Sequence, residues 1–320
     1  MTFTRFRSHL LGALLTGLSA LAWAQSATTI IVPYPAGGVV DIMARILSQK
    51  ITEQTGELFV IDNRPGSNGL IGSKAAAQAK ADGKTWLIGG DALMTVNPSL
   101  YPKDRLFSPD KDLIVVRGLA LQQPLLFVYP GLPVKTMKEF VDYARQNEVT
   151  YGSAGYGSPA HLSMELLGSA TAAKLVHVPY RGGNLAMIDV IAGRVQASFA
   201  AVPVALEHVK AGKVTPIAIA AATRSAQLPN VPTTVEAGFP NLEAETGLFV
   251  MLPSATPADT VAKIDQSVAN ALANPGVKDR IVAAGWLPQA DMDGSRARNW
   301  IAQATALWSR VIREKGIKAE

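Results

Sequence analysis

The stretch that decides the fold is TIIVPYPAGGVVDIMARILSQKI, residues 29–51. It begins with the β-branched run Thr29–Pro33, which predicts a short strand. The apolar residues after that run recur at the spacing of one helix face, at Val40, Met43, Ala44, Leu47 and Ile51. A strand followed closely by a helix is the unit from which α/β sheets are built, so this stretch predicts an α/β protein.

The same alternation continues toward the C-terminus. A helix at Asn68–Ala81 is flanked by strands at Leu58–Ile61 and Thr85–Gly89, which predicts an open parallel sheet covered by helices. A Pro- and Asp-rich connection follows from Asn97 to Asp112. A second α/β unit begins after the junction Gln122-Gln123-Pro124, with strands at Leu125–Tyr129, Val149–Ser153, Leu175–Pro179, Gln196–Ala201 and Pro216–Ala221 and helices at Val134–Gln146, Ser158–Ala173 and Asn184–Gly193.

The last part of the chain has a different pattern. After the apolar run Gly247–Pro253, amphipathic stripes at Val261–Leu272 and Trp300–Val311 predict two helices with no strand between them. Two helices alone cannot form a third domain, so we expect them to pack on the first unit. The predicted division is therefore lobe 1 (residues 25–122 plus 246–320) and lobe 2 (residues 123–245), joined by two hinge crossings around a cleft.

The first 24 residues have the features of a secretory signal. Arg5 and Arg7 precede an apolar run from Leu10 to Leu21, and Ala22-Trp23-Ala24 provides a small-x-small exit. The apolar run is shorter than the roughly 20 residues that span a membrane. We expect cleavage near Ala24 and export, which in a bacterium means the periplasm.

Composition excludes several functional classes. The 320 residues include no cysteine, which rules out disulfides, thiolate metal sites and a catalytic Cys. Only four histidines are present, and His161 with Glu165 gives two potential ligands, which do not make a metal site. The Lys and Arg residues are scattered, and the net charge of +5 is mild, so nucleic-acid binding has little support. No metal or cofactor is therefore expected.

Sequence motifs give no support for catalysis or nucleotide binding. No G-x-S-x-G elbow or Walker-type loop occurs. The spacing Gly155-x-Gly157-x-x-Ala160 matches the looser dinucleotide fingerprint, but the acidic residue expected about 20 positions later is absent.

Two glycine-rich segments precede helices at corresponding places in the two units. The first is Tyr34–Gly38, with Asp41 in the following helical turn; the second is Ser153–Ser158, followed by Pro159. Small residues let main-chain N–H groups approach a ligand, and a helix N-terminus favours negative charge. The alternative for the first segment is a tight turn in which Asp41 complements the helix dipole. Two such segments suit a ligand with two carboxylates, or one with a carboxylate and a polar tail.

Several sequence blocks occur together in a familiar order. They are VPYPAGGVVDIMAR (32–45), VIDNRPGSNGLIGSKAAAQAKADGKTW (60–86), VNPSLY (96–101), YGSAGYGSPAHLSMEL (151–166), HVPYRGG (177–183), KAGKVTPIAIAAATR (210–224) and LPNVPTTVEAGFP (228–240). In these blocks the chain resembles the Bug (TctC-like) family of periplasmic solute-binding proteins, which serve tripartite tricarboxylate transporters.

The resemblance implies a two-lobed periplasmic binding protein of type II, the Venus-flytrap kind. It would close over a small organic acid and deliver it to the membrane components of a tripartite tricarboxylate transporter, working as a monomer. The ligand-contacting positions carried over from the family, together with the strand-end residues of the predicted cleft, are Tyr34, Pro35, Ala36, Gly37, Gly38, Asp41, Asp91, Ser153, Ala154, Gly155, Tyr156, Gly157, Ser158, His161, Tyr180, Arg181, Ala200 and Ala201.

Some positions depart from the family pattern and leave the ligand open. Glu245 stands where members often have Trp, and Ala200 stands where many have Asp or Asn. The apolar strand end Phe199-Ala200-Ala201 would leave room for an aromatic acid as well as a dicarboxylate. Asp41 would pair with the amino group of an amino acid, or with the helix or water if the ligand has none.

Two other functions stay open on the sequence alone. One is an α/β enzyme acting on an organic acid between the lobes. The other is a ligand sensor that passes its signal to a membrane protein.

Overall fold

The computed structural model describes residues 27–101 and 108–318. The predicted signal segment lies outside the described residues. In chain order the strands are β1 (Thr28–Val32), β2 (Phe59–Asn63), β3 (Thr85–Gly90), β4 (Leu113–Gln122), β5 (Pro124–Val128), β6 (Val149–Ser153), β7 (Leu175–Pro179), β8 (Ala197–Ala201), β9 (Thr215–Ile219), β10 (Thr246–Pro253) and β11 (Leu287–Pro288).

The helices fall between these strands, and a single 3₁₀ turn covers Ser67–Gly69. They are α1 (Val39–Thr55), α2 (Leu70–Ala77), α3 (Ala92–Thr95), α4 (Asn97–Leu100), α5 (Pro109–Asp112), α6 (Met137–Gln146), α7 (Pro159–Thr171), α8 (Gly183–Ile191), α9 (Val202–Lys210), α10 (Ala258–Ala273), α11 (Pro275–Ala283) and α12 (Gly294–Lys315). Across the described ranges, none of them is both long and apolar enough to cross a bilayer.

The strands form two sheets, one in each predicted lobe. The first sheet has the order β11-β4-β10-β3-β1-β2, and the second has the order β7-β6-β8-β5-β9. The parallel arrangement predicted for the first three strands is confirmed, but the first sheet as a whole is mixed. In the first sheet β1 pairs in parallel with β2 and β3, but β10 enters antiparallel between β3 and β4. The second sheet is likewise mixed, because β5 runs antiparallel to both of its neighbours.

Several elements were missed or misplaced by the sequence patterns. The ten-residue strand β4 was missed, although its nearly continuous apolar run is typical of a strand buried on both faces. Helix α2 ends at Ala77 instead of Ala81, and the predicted connection at 97–112 contains α4 and α5. Helices α9 and α11 were also missed, and the short strand β11 lies between the terminal helices.

Helices cover both faces of the first sheet. Met43 and Leu47 of α1 pack with Val268 of α10 and Ile281 of α11 on one face. On the other face, Ile301 of α12 packs with residues of β1, β3 and β10. The helix predicted at Val261–Leu272 corresponds to α10, which packs on the first sheet, whereas α11 was not predicted.

Helix α12 spans both sheets. Its first residue, Gly294, lies against the carbonyls of Val115 and Val116 in β4, whereas Trp308, Val311 and Ile312 belong to the core of the second sheet. Val96 and Leu100, around α4, join that same core. The two sheets are thus linked by side-chain packing as well as by the two places where the chain crosses.

The strand registers place the glycine-rich segments on the edges that these crossings join. Gln122 pairs with Thr246 where β4 leaves the first sheet and β10 returns, and Pro124 pairs with Ala201 at the near edge of the second sheet. The C-terminal ends of β1 and β3 lie on the first edge, and those of β6 and β8 lie on the second. The loops after β1 and β6 therefore begin on adjoining edges.

Candidate functional site

The loop after β1, residues 34–38, is called loop 1 from here on, and it is held by the buried carboxylate of Asp41. The Asp41 side chain is 2% exposed. Its Oδ2 accepts from the Gly37 N–H (3.0 Å) and from Nε of Arg45 (2.9 Å). Its Oδ1 accepts from Nη2 of Arg45 (3.1 Å) and from Nδ2 of Asn63 (3.1 Å). Four donors therefore occupy the acceptor positions that a carboxylate offers.

These donors also fix the ionisation state of Asp41. The hydrogen bonds from the Arg45 guanidinium hold the pKa of this carboxyl below its usual value, with further help from Gly37 and Asn63. The Asn63 amide also donates to the Tyr34 carbonyl (3.1 Å), so the end of β2 anchors loop 1 at two points.

Some main-chain N–H groups of loop 1 donate hydrogen bonds within the described part of the protein, and others do not. Gly37 donates to Asp41, and Gly38 donates to the Pro35 carbonyl (3.3 Å). The N–H groups of Tyr34 and Ala36 have no acceptor among the residues that the structure describes. Because Ala36 is exposed, its N–H is available to a ligand.

Asp91 lies at the end of β3 and connects two strands of the first sheet. It is 3% exposed, its Oδ1 accepts from the Gly247 N–H (2.9 Å) and its Oδ2 accepts from Oγ1 of Thr95 (3.1 Å). Burial raises the pKa of Asp91 to about 6. Burial and the nearby Asp91 charge also raise the pKa of Tyr34 to about 12. These contacts tie Asp91 to β10 and α3.

The loop after β6, residues 154–158, is called loop 2, and it is held by neutral side chains. Oγ of Ser153 accepts from the Gly155 N–H (3.0 Å) and donates to the Gly155 carbonyl (3.1 Å). Ser158 caps α7 and its Oγ also donates to the Gly155 carbonyl (2.7 Å). The Gly157 N–H donates to Nδ1 of His161 (3.0 Å).

A stack of aromatic rings supports loop 2 from behind. The imidazoles of His161 and His177 lie parallel with centroids 4.0 Å apart, and the Tyr151 ring stacks on His177 at 5.0 Å. The Tyr156 ring stands edge-on to both imidazoles, at 5.5 Å and 4.9 Å. His177 also joins the hydrogen-bond network, because its Nε2 lies 2.7 Å from Oγ of Ser153.

In loop 2, as in loop 1, the glycine N–H groups donate to described residues and the N–H groups of some neighbouring residues do not. The glycine N–H groups of 155 and 157 are bonded internally, and Ser158 donates to the Gly155 carbonyl (3.2 Å). Within the described ranges, the N–H groups of Ala154 and Tyr156 have no acceptor. Both loops therefore use their glycines for internal bonds and leave neighbouring residues free to donate.

The remaining predicted positions surround loop 2. The Tyr180 N–H donates to the Ser153 carbonyl (3.0 Å) and its hydroxyl donates to Asp189 (2.7 Å). Arg181 is exposed and makes no ion pair with any described residue. Ala200 and Ala201 are half-buried at the end of β8.

On the return crossing, Glu245 is half-buried. Its burial, with the Glu243 charge nearby, raises the pKa of this carboxyl to about 7.

The described residues contain no cluster of three His, Asp or Glu side chains that would hold a metal ion. His161 and Glu165, the pair considered from the sequence, are committed elsewhere. His161 accepts from Gly157, and Glu165 accepts from the Tyr151 hydroxyl (2.7 Å) and pairs with Lys315 (3.3 Å).

Sequence reasoning missed three residues that shape the loops. Arg45 follows Asp41 by four positions, and this helical spacing was a signal for an ion pair. Asn63 ends β2 on the same sheet edge as loop 1, but only the sheet register reveals it. His177 lies beside Ser153 because β6 and β7 pair in parallel.

Comparison with known proteins gives consistent matches over most of the chain. The family model described as the tripartite tricarboxylate transporter family receptor matches residues 43–317. Protein BugT of Bordetella pertussis is 32% identical over 292 residues, which cover 90% of this chain and 89% of that protein.

Two solved structures were determined with acids bound. Rpa4515 of R. palustris, solved with adipate, is 31% identical with a TM-score of 0.76, covering 91% of this chain and 98% of that one. MatC of Rhodopseudomonas palustris, solved with bound malate, is 27% identical with a TM-score of 0.71, covering 89% and 98%.

Proposed function

The chain belongs to the tripartite tricarboxylate transporter receptor family, and from this premise we propose that it captures a small organic carboxylate between its two lobes. Membership confirms the predicted Bug (TctC-like) resemblance, the two-lobed periplasmic binding-protein fold and the role of a transporter receptor. The ligand class and the contacts described below are our proposal for this chain.

The proposal depends on one observation: both loops contain main-chain N–H groups that bond to no described residue. Ala36 of loop 1 and Ala154 and Tyr156 of loop 2 offer main-chain donors with no acceptor among the described residues, on the two sheet edges that the crossings join. Charge-assisted bonds from backbone N–H groups to carboxylate oxygens are strong, and helix N-termini favour anions. A carboxylate at each end of a ligand would satisfy both sets, and the exposed Arg181 would add a cation beside loop 2.

The hydrogen-bond partners of Asp41 argue against a ligand with an amino group. An α-amino group would need a free carboxylate oxygen, but all four acceptor positions of Asp41 are occupied and the side chain is buried. We therefore propose a ligand without an amino group, of the kind that the neighbours hold as adipate and malate. The small side chains of Ala200 and Ala201 give the same site room for an aromatic acid.

The proposed function also includes a division into two lobes and a hinge motion between them. Lobe 1 comprises residues 25–122 plus 246–320, and lobe 2 comprises residues 123–245. Hinge motion at the two crossings would close the cleft and present the loaded protein to the membrane components of a tripartite transporter. Export would remove the segment before Gln25.

Capture without chemical change is the simplest function for these groups. Ser153 and His177 form a hydroxyl–imidazole contact of the kind that hydrolases use. The Ser153 side chain is 0% exposed, however, and its hydroxyl already serves both main-chain groups of Gly155. A ligand cannot reach that oxygen without rearrangement of loop 2, so we propose a passive receptor.

Ligand-dependent thermal unfolding tests the proposal. The exported protein is titrated with mono-, di- and tricarboxylates, amino acids and aromatic acids, and each added compound is recovered and analysed. A ligand at 100 times its Kd adds about 2.7 kcal/mol, which raises Tm by several degrees. We expect dicarboxylates or aromatic acids to raise Tm and to be recovered unchanged.

Two controls complete the test. Mass spectrometry of the denatured protein detects any acid carried through purification, which would mask a shift. Stabilisation by amino acids alone would contradict the ligand class, and conversion of the bound acid would contradict the passive role.

A further inference from the structure

Two histidines are bonded to loop 2, His161 through the Gly157 N–H and His177 through the Ser153 hydroxyl. We propose that His161 and His177 are positioning residues: His161 holds Gly157 directly and His177 holds Gly155 through Ser153, so that the N–H groups of Ala154 and Tyr156 are directed at the ligand. The inference rests on the proposed function, in which those two groups receive a carboxylate. It assigns the histidines an indirect role through the loop.

His161 acts through one nitrogen. It is 3% exposed, and its Nδ1 accepts the Gly157 N–H at 3.0 Å. Accepting requires a lone pair on Nδ1, so the neutral ring carries its proton on Nε2. Gly157 has a φ of +72°, a conformation that glycine adopts readily, and this bond fixes its N–H away from the ligand.

His177 acts through Ser153. The Ser153 hydroxyl donates to the Gly155 carbonyl, and its oxygen accepts the Gly155 N–H. With the hydroxyl proton used in this way, the Nε2–H of His177 donates to the second lone pair of Oγ at 2.7 Å. The imidazole thereby orients the hydroxyl that holds Gly155.

The surroundings of His161 favour its neutral form. The centroids of the His161 and His177 rings are 4.0 Å apart, so a positive charge on one ring raises the cost of a charge on the other. The other ionisable groups around His161 are Tyr151, Tyr156, Glu165, Lys315 and Lys318, which line or adjoin a cavity of about 520 Å³. Burial lowers the pKa of His161, and the Glu165 charge opposes this in part. The neutral ring therefore predominates at neutral pH.

The hydrogen bond from the Gly157 N–H to Nδ1 of His161 determines how ligand affinity should change with pH. Above the His161 pKa, Nδ1 accepts from Gly157 and loop 2 keeps its shape. As the pH falls through that value, Nδ1 takes a proton and can no longer accept, so Gly157 is released. Carboxylate affinity is therefore expected to decrease on the acid side through the loss of this bond.

Matched substitutions separate this role from simple packing. In His161→Asn the side-chain oxygen occupies the place of Nδ1 and does not titrate, whereas His161→Leu fills the space without an acceptor. In His177→Gln the amide nitrogen takes the place of Nε2, whereas His177→Phe keeps a stacked ring without a donor. Circular dichroism and thermal unfolding of each variant establish that it is folded.

The first measurement needs no ligand. Amide hydrogen exchange of the free protein is expected to protect Gly157 in the wild type and in His161→Asn, but not in His161→Leu. Gly155 should be protected in the wild type and His177→Gln, and less so in His177→Phe. Equal protection of Gly157 in all of the folded proteins would overturn the inference, whatever the ligand proves to be.

The second measurement is calorimetric titration with adipate and malate between pH 5 and 8. We expect His161→Leu and His177→Phe to weaken binding by about tenfold, the loss of roughly one well-placed hydrogen bond, at pH 8. His161→Asn should bind within about threefold of the wild type and lose the acid-side decrease. An unchanged pH profile in His161→Asn would also overturn the inference, whereas silence of the wild type toward every acid would contradict the proposed function instead.

Discussion

Loop 1 and loop 2 perform the same task with different chemistry. Each bonds its glycine N–H groups internally and leaves other main-chain N–H groups without an acceptor in the described part of the chain. In loop 1 the acceptors are the Pro35 carbonyl and the buried Asp41 carboxylate, whose charge is balanced by an exposed arginine. In loop 2 the acceptors are a serine hydroxyl and a neutral imidazole. Loop 1 is thus held by a carboxylate in an ion pair, whereas loop 2 is held by acceptors outside any ion pair.

The loops also differ in what surrounds them. A Cβ atom at Gly37 would have no neighbour within 4 Å. A Cβ atom at Gly157 would collide with Leu100 of α4, which packs in the core of the second sheet. Loop 1 can therefore adjust locally, whereas a change in loop 2 is transmitted to the packing between the sheets.

The largest difference is expected from alanine at these two glycines. Both have positive φ, +77° at Gly37 and +72° at Gly157, so each substitution carries a backbone penalty of about 1 kcal/mol. Gly157→Ala adds an overpacking cost against Leu100 and should lose about 3 kcal/mol in all. Urea unfolding of the two variants measures this contrast, and Leu100→Ala should relieve the Gly157→Ala defect. Equal losses would mean that loop 2 is no more constrained than loop 1.

Removal of the carboxylate in loop 1 is the next largest effect. Asp41→Ala leaves the donors of Gly37 and Asn63 without their acceptor, which should cost about 2.5 kcal/mol. Asp41→Asn keeps one acceptor oxygen and should lose less. Because the folded pKa of Asp41 is lowered, its contribution persists above pH 4 and is lost only as the pH falls through the folded value. Unfolding curves at pH 7 and pH 3 check both expectations.

Asp91, at the end of β3, is a buried carboxylate whose pKa is raised, in contrast to that of Asp41, which holds loop 1. Its pKa rises from 3.8 unfolded to about 6 folded, so the native state binds more protons between these values and stability falls as pH rises through that window. Asn at this position accepts from Gly247 without a charge. Asp91→Asn should therefore be about 2 kcal/mol more stable than the wild type at pH 8 and nearly equal at pH 4.

Asp91→Ala is the control for that prediction, because it removes the acceptor for Gly247 and should destabilise at both pH values. Guanidinium unfolding at pH 4 and pH 8 measures all three proteins. A wild type that is more stable than Asp91→Asn at pH 8 would mean that the charged carboxylate strengthens its hydrogen bonds by more than its burial costs.

The smallest expected effect is the response to salt. Arg45 is 55% exposed, so its attraction to Asp41 is screened as ionic strength rises. A double-mutant cycle with Asp41→Asn and Arg45→Gln should show a coupling that falls by at least half between 0.05 and 1 M NaCl. The coupling between Ser153→Ala and His177→Phe should change much less, because the Ser153 hydroxyl carries no charge and the contact is not an ion pair. Similar responses in both cycles would remove the chemical distinction between the loops.

The positions of loop 1 and loop 2 could be predicted because their signals are local. A strand, a glycine-rich turn and a helix follow one another within about 20 residues in each case. The periodicity also located most strands and long helices. It did not locate β4, and it did not show that β10 returns antiparallel between β3 and β4.

The roles of individual site residues could not be predicted in the same way. Asp41 was open to pairing with an amino group, a helix or water, and its actual partners include Asn63, 22 residues away. Asp91 was a candidate cleft residue, but it bonds Gly247, 156 residues away. His177 entered the site only because β7 lies beside β6.

The sequence by itself therefore determined the α/β class, the two glycine-rich loops and the family resemblance, because each depends on residues close together in the chain. The tertiary structure alone decided which N–H groups stay free and which carboxylates are already satisfied. Those properties depend on hydrogen bonds between distant segments, and the segments meet only through strand register and side-chain packing. A local sequence pattern carries no information about strand register or side-chain packing. The hydrogen-bonding state of these groups can therefore be determined only from the folded structure.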